Sequence, residues 1–455
     1  MTTHAIILAA GRGTRMNSAL PKVLHTVGGQ PMLAHVLRAA DSLAAQQHLV
    51  LGHGAEAVQA WLKQAGAAPT VALQTEQLGT AHAVQQALPA VPDEALALVL
   101  YGDVPLVSAD TLAALQNAAA GGLALVTVTL DDGSGYGRIL RDAAGRVTGI
   151  VEQKDASEAQ RAIREINTGL LAAPAASLKR WIAQVRNHNA AGEFYLTDVV
   201  ALAVAEGVEV RTVAARSAAE VEGVNDRLQL ARAERLFQLS QAERLMRAGV
   251  QLADPARFDL RGELLAGQDV FIDVGVIIEG KVELSDGVRV GAYSHLKNVR
   301  LGVRSEVLSH CVLENLDAGA ACRIGPFTRV RMDTQFGDEV HIGNFVEIKK
   351  SRIGAQTKAG HLAYVGDAQV GADVNIGAGV ITCNYDGANK HVTTIGDGAF
   401  IGTDTQLVAP VTVGARAFVA AGSTITRNVP DDALAICRAR DQKTIGGWKR
   451  PVKNK

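Results

Sequence analysis

Residues 395–425 read IGDGAF IGTDTQ LVAPVT VGARAF VAAGST I, which places Ile395, Ile401, Leu407, Val413, Val419 and Ile425 six residues apart. A second series runs through Ile324, Val330, Phe336, Ile342 and Ile348, and an earlier one through Val270, Val276, Val282 and Val288. A six-residue period matches neither the turn of a helix nor the alternation of a half-buried strand. It fits a three-sided coil, in which each hexapeptide supplies one short strand and one turn and the apolar side chain points to the axis. A small residue is needed where the backbone corners, and Gly follows the apolar position in Ile324-Gly325, Ile342-Gly343, Ile353-Gly354, Val370-Gly371, Ile376-Gly377, Ile395-Gly396 and Ile401-Gly402. Successive coils of this kind stack about 4.8 Å apart. Stretches 298–321 and 383–394 break the phase and are expected to be irregular coils or projecting loops.

Upstream the pattern is different. Residues 5–8, 49–51, 71–73 and 96–101 are short apolar runs that read as buried strands, and segments such as 31–43 carry apolar residues at helical spacing. Alternation of this kind indicates an α/β domain with a mostly parallel, Rossmann-like sheet, whose ligands bind at the carboxyl ends of strands. Between 225 and 248 there is no Gly or Pro, and Gly249 supplies a stop, so a long helix is expected there. It reads as a connector or as a last helix packed on the first domain. The resulting division is an α/β domain over 1–226, a helical linker over 227–249 and a β-helix domain over 250–455.

The bulk numbers agree with this organisation. The 455 residues suggest more than one folding unit, and 46 Gly argue against an all-helical protein. Lys and Arg total 45 against 46 Asp and Glu, which argues against a whole-protein nucleic-acid binder. Cys311, Cys322, Cys383 and Cys437 form no CxxC pair, so four buried thiols in a reducing compartment are expected rather than a zinc or redox site. Residues 1–4 carry no basic region and the apolar run 5–10 is too short for a signal peptide, so a cytoplasmic location is expected. The uncharged stretch 111–130 is interrupted by Gln116, Asn117, Gly121 and Gly122 and reads as helix end, turn and strand rather than as membrane insertion.

Chemistry first appears after the opening strand, in Leu8-Ala9-Ala10-Gly11-Arg12-Gly13-Thr14-Arg15-Met16 with Pro21-Lys22 behind it. Two glycines let backbone N–H groups approach a phosphate chain, and Arg15 and Lys22 can neutralise charge where a phosphorus centre is attacked. The spacing is neither that of a kinase-type phosphate loop nor a good dinucleotide fingerprint. Taken alone, it could be a structural turn.

The stretch 8–16 with Pro21-Lys22, followed in order by Gln74, Gln77-Leu78-Gly79-Thr80 and Tyr101-Gly102-Asp103, resembles the signature of sugar-1-phosphate nucleotidyltransferases. With the hexapeptide region, the whole chain resembles the bacterial bifunctional family that joins an N-acetylglucosamine-1-phosphate uridylyltransferase to a glucosamine-1-phosphate N-acetyltransferase. The resemblance implies a left-handed parallel β-helix, a homotrimer, and UTP, acetyl-CoA, glucosamine-1-phosphate and N-acetylglucosamine-1-phosphate as substrates. It implies that Leu8, Ala9, Ala10, Gly11, Lys22, Gln74, Gly79, Thr80, Tyr101 and Gly102 surround the nucleotide. By the same resemblance Gly137, Glu152 and Asn167 contact the sugar, and Asp103 and Asn225 hold Mg²⁺. A carboxylate at a strand end suits that ion, which takes its other ligands from phosphate and water. The reaction would be attack of a sugar phosphate oxygen on the α-phosphorus of UTP with loss of pyrophosphate, and a phosphate monoester with its second pKa near ~6 needs no general base for it.

In the repeat region, polar residues gather between 329 and 384. His361 is singled out because acyl transfer to an amine needs a proton acceptor near neutral pKa and because 358–367 resembles the acetyltransferase motif. His4, His48, His188 and His295 are expected to have surface or packing roles. The resemblance assigns Arg331, Lys349, Tyr364 and Asn375 to the sugar phosphate, and Ala378, Asn384, Tyr385, Thr403, Ala421 and Arg438 to acetyl-CoA. Relatives commonly carry Ser in place of Thr403 and Pro-Gly in place of Met332-Asp333, which bears on the loop after Arg331. From Arg438 onward there are seven Lys and Arg, with Trp448 among them and only Asp441 opposing. Such an arm can bind nucleic acid or reach the phosphates of coenzyme A; the trimer implied by the resemblance favours the latter. Two competing readings are a single-activity nucleotidyltransferase with a passive solenoid, and a nonenzymatic assembly subunit. His361 and the Asn384-Tyr385 loop weigh against the first, and Arg15, Lys22 and Asp103 against the second.

Overall fold

A computed structural model describes residues 1–438, so the basic arm after Arg438, including Trp448, lies outside the described residues. Two compact units divide the chain between Phe237 and Gln238.

The first unit alternates strands and helices: β1 (Thr3–Ala9), α1 (Met32–Asp41), β2 (Gln46–Leu51), α2 (Ala55–Ala65), β3 (Thr70–Leu73), α3 (Thr80–Ala87), β4 (Leu96–Tyr101), α4 (Ala109–Ala118), β5 (Leu123–Thr129), β6 (Arg138–Arg141), β7 (Val147–Val151), β8 (Glu165–Pro174), α5 (Ala175–Ile182), α6 (Asp198–Ala205) and β9 (Val210–Ala214). The expected strands and the 31–43 helix are all present, and 111–130 holds a turn and β5 as expected, but preceded by nearly all of α4 rather than by a helix end alone. The main sheet runs β9-β5-β8-β4-β1-β2-β3, with β6 and β7 attached beside β8. Only β8 lies antiparallel to its neighbours β4 and β5 in that row. All seven residues of β1 are buried, as expected for a strand covered on both faces. Because the chain runs from β1 to β2 on one side and returns to β4 on the other, a crevice opens at the carboxyl ends of β1 and β4. That is where Ala9 and Tyr101 end their strands.

Helix α7 (Arg227–Arg247) spans the division between the units. Its early residues Leu230, Ala233 and Phe237 pack with Val27, Met32 and Val224 of the first unit. Ala242 and Leu245 join the core of the second unit, where Gln238 also donates to the Leu260 carbonyl.

The second unit is a stack of parallel coils. One face is an 11-stranded ladder that begins at Gln251–Leu252 and ends at Leu434–Ala435. Registers on it pair Arg323 with His341, then Lys358, then Asn375. Those steps are 18, 17 and 17 residues, close to three hexapeptides each. The six-residue series therefore visits three faces in turn, and Ile324, Val330, Ile342 and Ile348 are each fully buried along the axis. Truncating one of them, as in Ile342→Ala, should cost about 2–5 kcal/mol because neighbouring coils cannot collapse into the gap.

Two expectations need correction. Stretch 298–321 is not irregular: strands His295–Leu301 and Val312–Ala318 stack in register, and Leu296, Val299, Leu301, Leu313, Leu316 and Ala318 are buried. The phase slips there because Leu296 to Leu313 is a 17-residue coil, with Asn298 turning its corner at φ 52° and Asn315 the equivalent corner of the next coil at φ 49°. Nor are all four thiols buried: Cys311 and Cys322 are, Cys383 is half-buried and Cys437 is exposed. The 383–394 break is a projecting loop closed by an antiparallel bridge between Tyr385 and Lys390, which lengthens the coil from Asn375 to Phe400 to 25 residues.

Candidate active sites

In the first unit, two cavities of about 300 Å³ each meet at Tyr101 and Asp103. One is walled by Leu8, Ala9, Ala10, Gly11, Lys22, Gln74, Gly79 and Thr80, joined by Gln77 and Glu193. The other is walled by Arg15, Asn225 and Gly223, joined by Ser134, Tyr136 and Gln229. The residues expected around a nucleotide thus converge at the crevice, and Gly102, buried between Asp103 and Tyr101, underlies it.

Local sequence explains the shape. Gly13 at φ 60° opens the short turn Thr14–Met16, and a Cβ on it would come within 2.7 Å of Lys22 Cβ. Gly79, at φ 120°, faces the Phe194 backbone, where a Cβ would stand 2.5 Å from the carbonyl oxygen. The 78–81 and 194–196 segments are laced together around it: Phe194 N donates to Leu78 O, Ala81 N to Phe194 O, and Leu196 N to Thr80 Oγ1 at 3.0 Å. Buried Gln74 donates to Gly79 O at 3.1 Å, which fixes the direction of its amide. Lys22 Nζ donates to both Asp103 Oδ2 and Asn225 Oδ1, the second at 3.1 Å. One ammonium therefore sits on the two oxygens expected to hold a metal.

Gly137, Glu152 and Asn167 form a third cluster. A Cβ on Gly137 would lie 3.4 Å from both carboxyl oxygens of Glu152, and Asn167 N donates to Gly137 O at 2.8 Å. Burial pushes the Glu152 carboxyl above its ordinary pKa; Asp155 adds to the shift, while the hydrogen bond from Thr197 Oγ1 opposes it. Burial also raises the Tyr101 hydroxyl, reinforced by Asp103 and Glu152, so that it stays a neutral donor.

In the second unit, register builds the site. Arg331 pairs with Lys349 and then Gly366, and Glu347 with Tyr364, so adjacent coils place Arg331, Lys349 and Tyr364 on one face. Arg331 Nε donates to Glu347 Oε1 at 2.7 Å. Lys349 Nζ donates at 3.1 Å to Asp367, which also receives Asn384 Nδ2; that amide lies 3.3 Å from the Tyr364 hydroxyl. Asn375 stands on another face, paired with Lys358 and Phe400. The corner after Arg331 is turned by Met332 and Asp333, both left-handed at φ 60° and 48°, with no glycine. Exposed Tyr385 is capped by the Lys390 ammonium 4.5 Å from its ring centre.

His361 occupies a different corner, one coil above Asn344. The two are paired in register, and His361 Nδ1 donates to Asn344 Oδ1 at 2.8 Å, leaving the Nε2 lone pair free. Above it the same corner carries Ala378, Thr403, Ala421 and Arg438. Gly379 N donates to Leu362 O, Asp404 N to Ala378 O, Gly422 N to Thr403 O, and Arg438 Nη1 to Ala421 O at 2.8 Å. Residues far apart in sequence thus make a single column that starts at the histidine. Asn344, Glu347, Asp367 and Lys390 were not singled out in the sequence. The 17-residue spacing from Asn344 to His361 would have found the first, once a coil length was known.

Among the described residues no cluster of three or more His, Cys, Asp or Glu is placed to hold a metal, and no helix is long and apolar enough to cross a membrane.

Comparison with known proteins gives two family matches: a MobA-like NTP transferase domain over residues 5–193, and the bacterial transferase hexapeptide, six repeats, over 393–427. The chain is similar to the bifunctional protein GlmU of Alkalilimnicola ehrlichii, 57% identical over 447 residues, covering 98% of this chain and 96% of that one. It is equally similar to the bifunctional protein GlmU of Aromatoleum aromaticum, 57% identical over 455 residues and covering 99% of each chain.

Proposed function

The chain belongs to the family of bifunctional GlmU proteins, and we propose from that membership and from its two sites that it makes UDP-N-acetylglucosamine in two steps. The second unit transfers an acetyl group from acetyl-CoA to glucosamine-1-phosphate. The first unit then joins the resulting N-acetylglucosamine-1-phosphate to UTP, releasing pyrophosphate, in service of peptidoglycan and lipopolysaccharide precursors. The observation that carries this reading is Asp103 on the shared wall of two cavities, one lined by the glycine-rich turn and the other by Arg15.

For uridylyl transfer, Gln74, Gly79 and Thr80 would face the uracil, and the Leu8–Gly11 backbone and Lys22 the phosphates. Gly137, Glu152 and Asn167 would orient the sugar so that its phosphate oxygen lies in line with the α-phosphorus. Positioning and charge neutralisation by Arg15 and Lys22 account for the rate, with no general base required. Asp103 and Asn225 would hold Mg²⁺. Their donor set fits: one carboxylate and one amide oxygen already share a cation, the Lys22 ammonium, and leave the remaining ligands to phosphate and water. When bound, the ion would supply further neutralisation of phosphate charge.

For acetyl transfer, His361 would accept the proton of the sugar ammonium at Nε2, with Asn344 fixing its tautomer. The freed amine then attacks the thioester carbonyl, and coenzyme A leaves as the thiol. Arg331, Lys349 and Tyr364 would hold the sugar phosphate, and the column Ala378, Thr403, Ala421 and Arg438, with Asn384 and Tyr385, would border acetyl-CoA. Asn375 on a separate face supports a homotrimer in which subunits complete each other's sites. The protein would act in the cytoplasm.

The test is reconstitution with purified protein, glucosamine-1-phosphate, acetyl-CoA, UTP and Mg²⁺, with products identified by mass. UDP-N-acetylglucosamine, coenzyme A thiol and pyrophosphate should form together, and omission of acetyl-CoA should stop all three. Nucleotide sugar formation with unacetylated substrate at the same rate would contradict the order of steps.

A further inference from the structure

Arg138 opens β6 and is only 2% exposed, yet its hydrogen-bond partners are all neutral. Its guanidinium donates to the Tyr136 carbonyl, to the Ile163 carbonyl at 3.0 Å, to Gln153 Oε1 at 2.9 Å and to the Arg161 carbonyl at 3.4 Å. Asp132, exposed at the surface, is close enough to feel the guanidinium but makes no bond to it; burying a charge with no directly bonded counter-ion is costly, and a chain needing only to fill this space would do so better with an apolar residue. Space is also kept for it: a Cβ on buried Gly133 would come within 3.0 Å of Arg138 Nε.

The places it reaches explain the expense. Tyr136 lines the Arg15 and Asp103 cavity, and Gly137 follows it. Gln153 follows Glu152, and the 161–163 segment leads into β8, which carries Asn167. The guanidinium thus ties together, from beneath, the three backbone segments that present Gly137, Glu152 and Asn167. A planar fork with five N–H groups can reach three directions at once, and an ammonium cannot reproduce that geometry. Because Arg138 itself lines neither cavity and reaches the second only through the Tyr136 carbonyl, its effect must pass through the segments it holds.

We propose that Arg138 is the positioning residue of the sugar pocket, setting affinity for the sugar phosphate while leaving the nucleotide side unaffected. This rests on the reading of Gly137, Glu152 and Asn167 as the sugar contacts. The test measures KM for N-acetylglucosamine-1-phosphate and for UTP separately in Arg138→Met, Arg138→Lys, Gln153→Leu and Glu152→Gln, each in the full chain. Arg138→Met should raise the sugar phosphate KM about ten-fold or more, a loss in the ordinary range for a removed hydrogen-bond network. Arg138→Lys should recover little of it, Gln153→Leu should show a smaller rise in the same direction, and the UTP KM should change less than about two-fold. Parallel rises in both KM values, or no change in the sugar KM, would overturn the role. If Arg138→Met does not fold, Gln153→Leu decides, since it removes a single bond. A raised sugar KM in Glu152→Gln with no effect at Arg138 or Gln153 would refute the positioning role alone, whereas an unchanged sugar KM in Glu152→Gln would refute the pocket assignment itself.

Discussion

Lys22→Met should make the first unit bind a divalent ion more tightly when no nucleotide is present. The Lys22 ammonium lies on Asp103 and Asn225, with the Lys22 and Asp103 side chains only 13% and 17% exposed. Two unit charges about 4 Å apart interact by about 4 kcal/mol at an effective dielectric near 20. A metal ion arriving at the same oxygens must move that ammonium away, and rehydration of the displaced lysine returns part of the cost. A net penalty of about 1–3 kcal/mol follows, or about 5–150-fold in affinity. Mn²⁺ titration followed by electron paramagnetic resonance measures it directly in protein without nucleotide. Lys22→Met should bind tighter by that factor, Lys22→Arg should stay as weak as the wild type, and adding Asp103→Asn to Lys22→Met should remove the gain. Equal Mn²⁺ affinity in wild type and Lys22→Met would mean that the ammonium does not compete with the ion for these oxygens. The physical consequence is that a nucleotide, by offering its phosphates to Lys22, opens the metal site, so the two ligands help each other bind.

Gly79→Ala should lower stability of the first unit by about 1–3 kcal/mol from backbone strain alone, with more from the contact against Phe194, and should raise the KM for UTP while acetyl transfer is unaffected; calorimetry and the two activity assays check it. The folded pKa of Glu152 is raised, so its contribution to stability is present below the ordinary carboxylate pKa and is lost as pH rises through the folded value. Glu152→Gln should therefore unfold at a higher temperature than wild type at neutral pH, with the gain shrinking on acidification, and an unchanged or lower unfolding temperature at neutral pH would contradict the burial argument. His4 and His48 are buried, stacked 5.1 Å apart and linked Nδ1 to Nε2 at 2.9 Å, and burial holds both below the ordinary imidazole pKa, with Glu94 partly offsetting this for His4. Their contribution is present above the ordinary imidazole pKa near ~6.5 and is lost as pH falls through the folded values, so the urea midpoint of this unit should drop on acidification and His48→Gln should flatten that drop.

What the sequence could disclose depended on how local the signal was. The axis of the second unit was legible because Ile324, Val330, Ile342 and Ile348 repeat at a fixed interval and all reach the core. The regular coils over 298–321 were not, since a coil shortened by one residue at an asparagine corner destroys the period while preserving the stack. In the first unit, the turn after β1 and the carboxylate after β4 were readable because strand ends in a parallel sheet share one edge. The lysine bridging Asp103 and Asn225 was not readable, for it joins residues 81 and 203 positions apart. Asp367 and Asn344 escaped notice for a similar reason: their partners lie one coil away, and no residue type marks a coil neighbour. Nothing in the sequence singles out Arg138, and only the close fit of Gly133 and four neutral acceptors reveals it as interior.

Two chemistries in separate units of one chain should be separable by single substitutions. Asp103→Ala and His361→Ala, each assayed for Mg²⁺-dependent pyrophosphate release from UTP and for thiol release from acetyl-CoA, test it most directly. Asp103→Ala should lose pyrophosphate release and keep thiol release, and His361→Ala should do the reverse. A variant that loses both activities while remaining folded, or one that loses neither, would contradict the account.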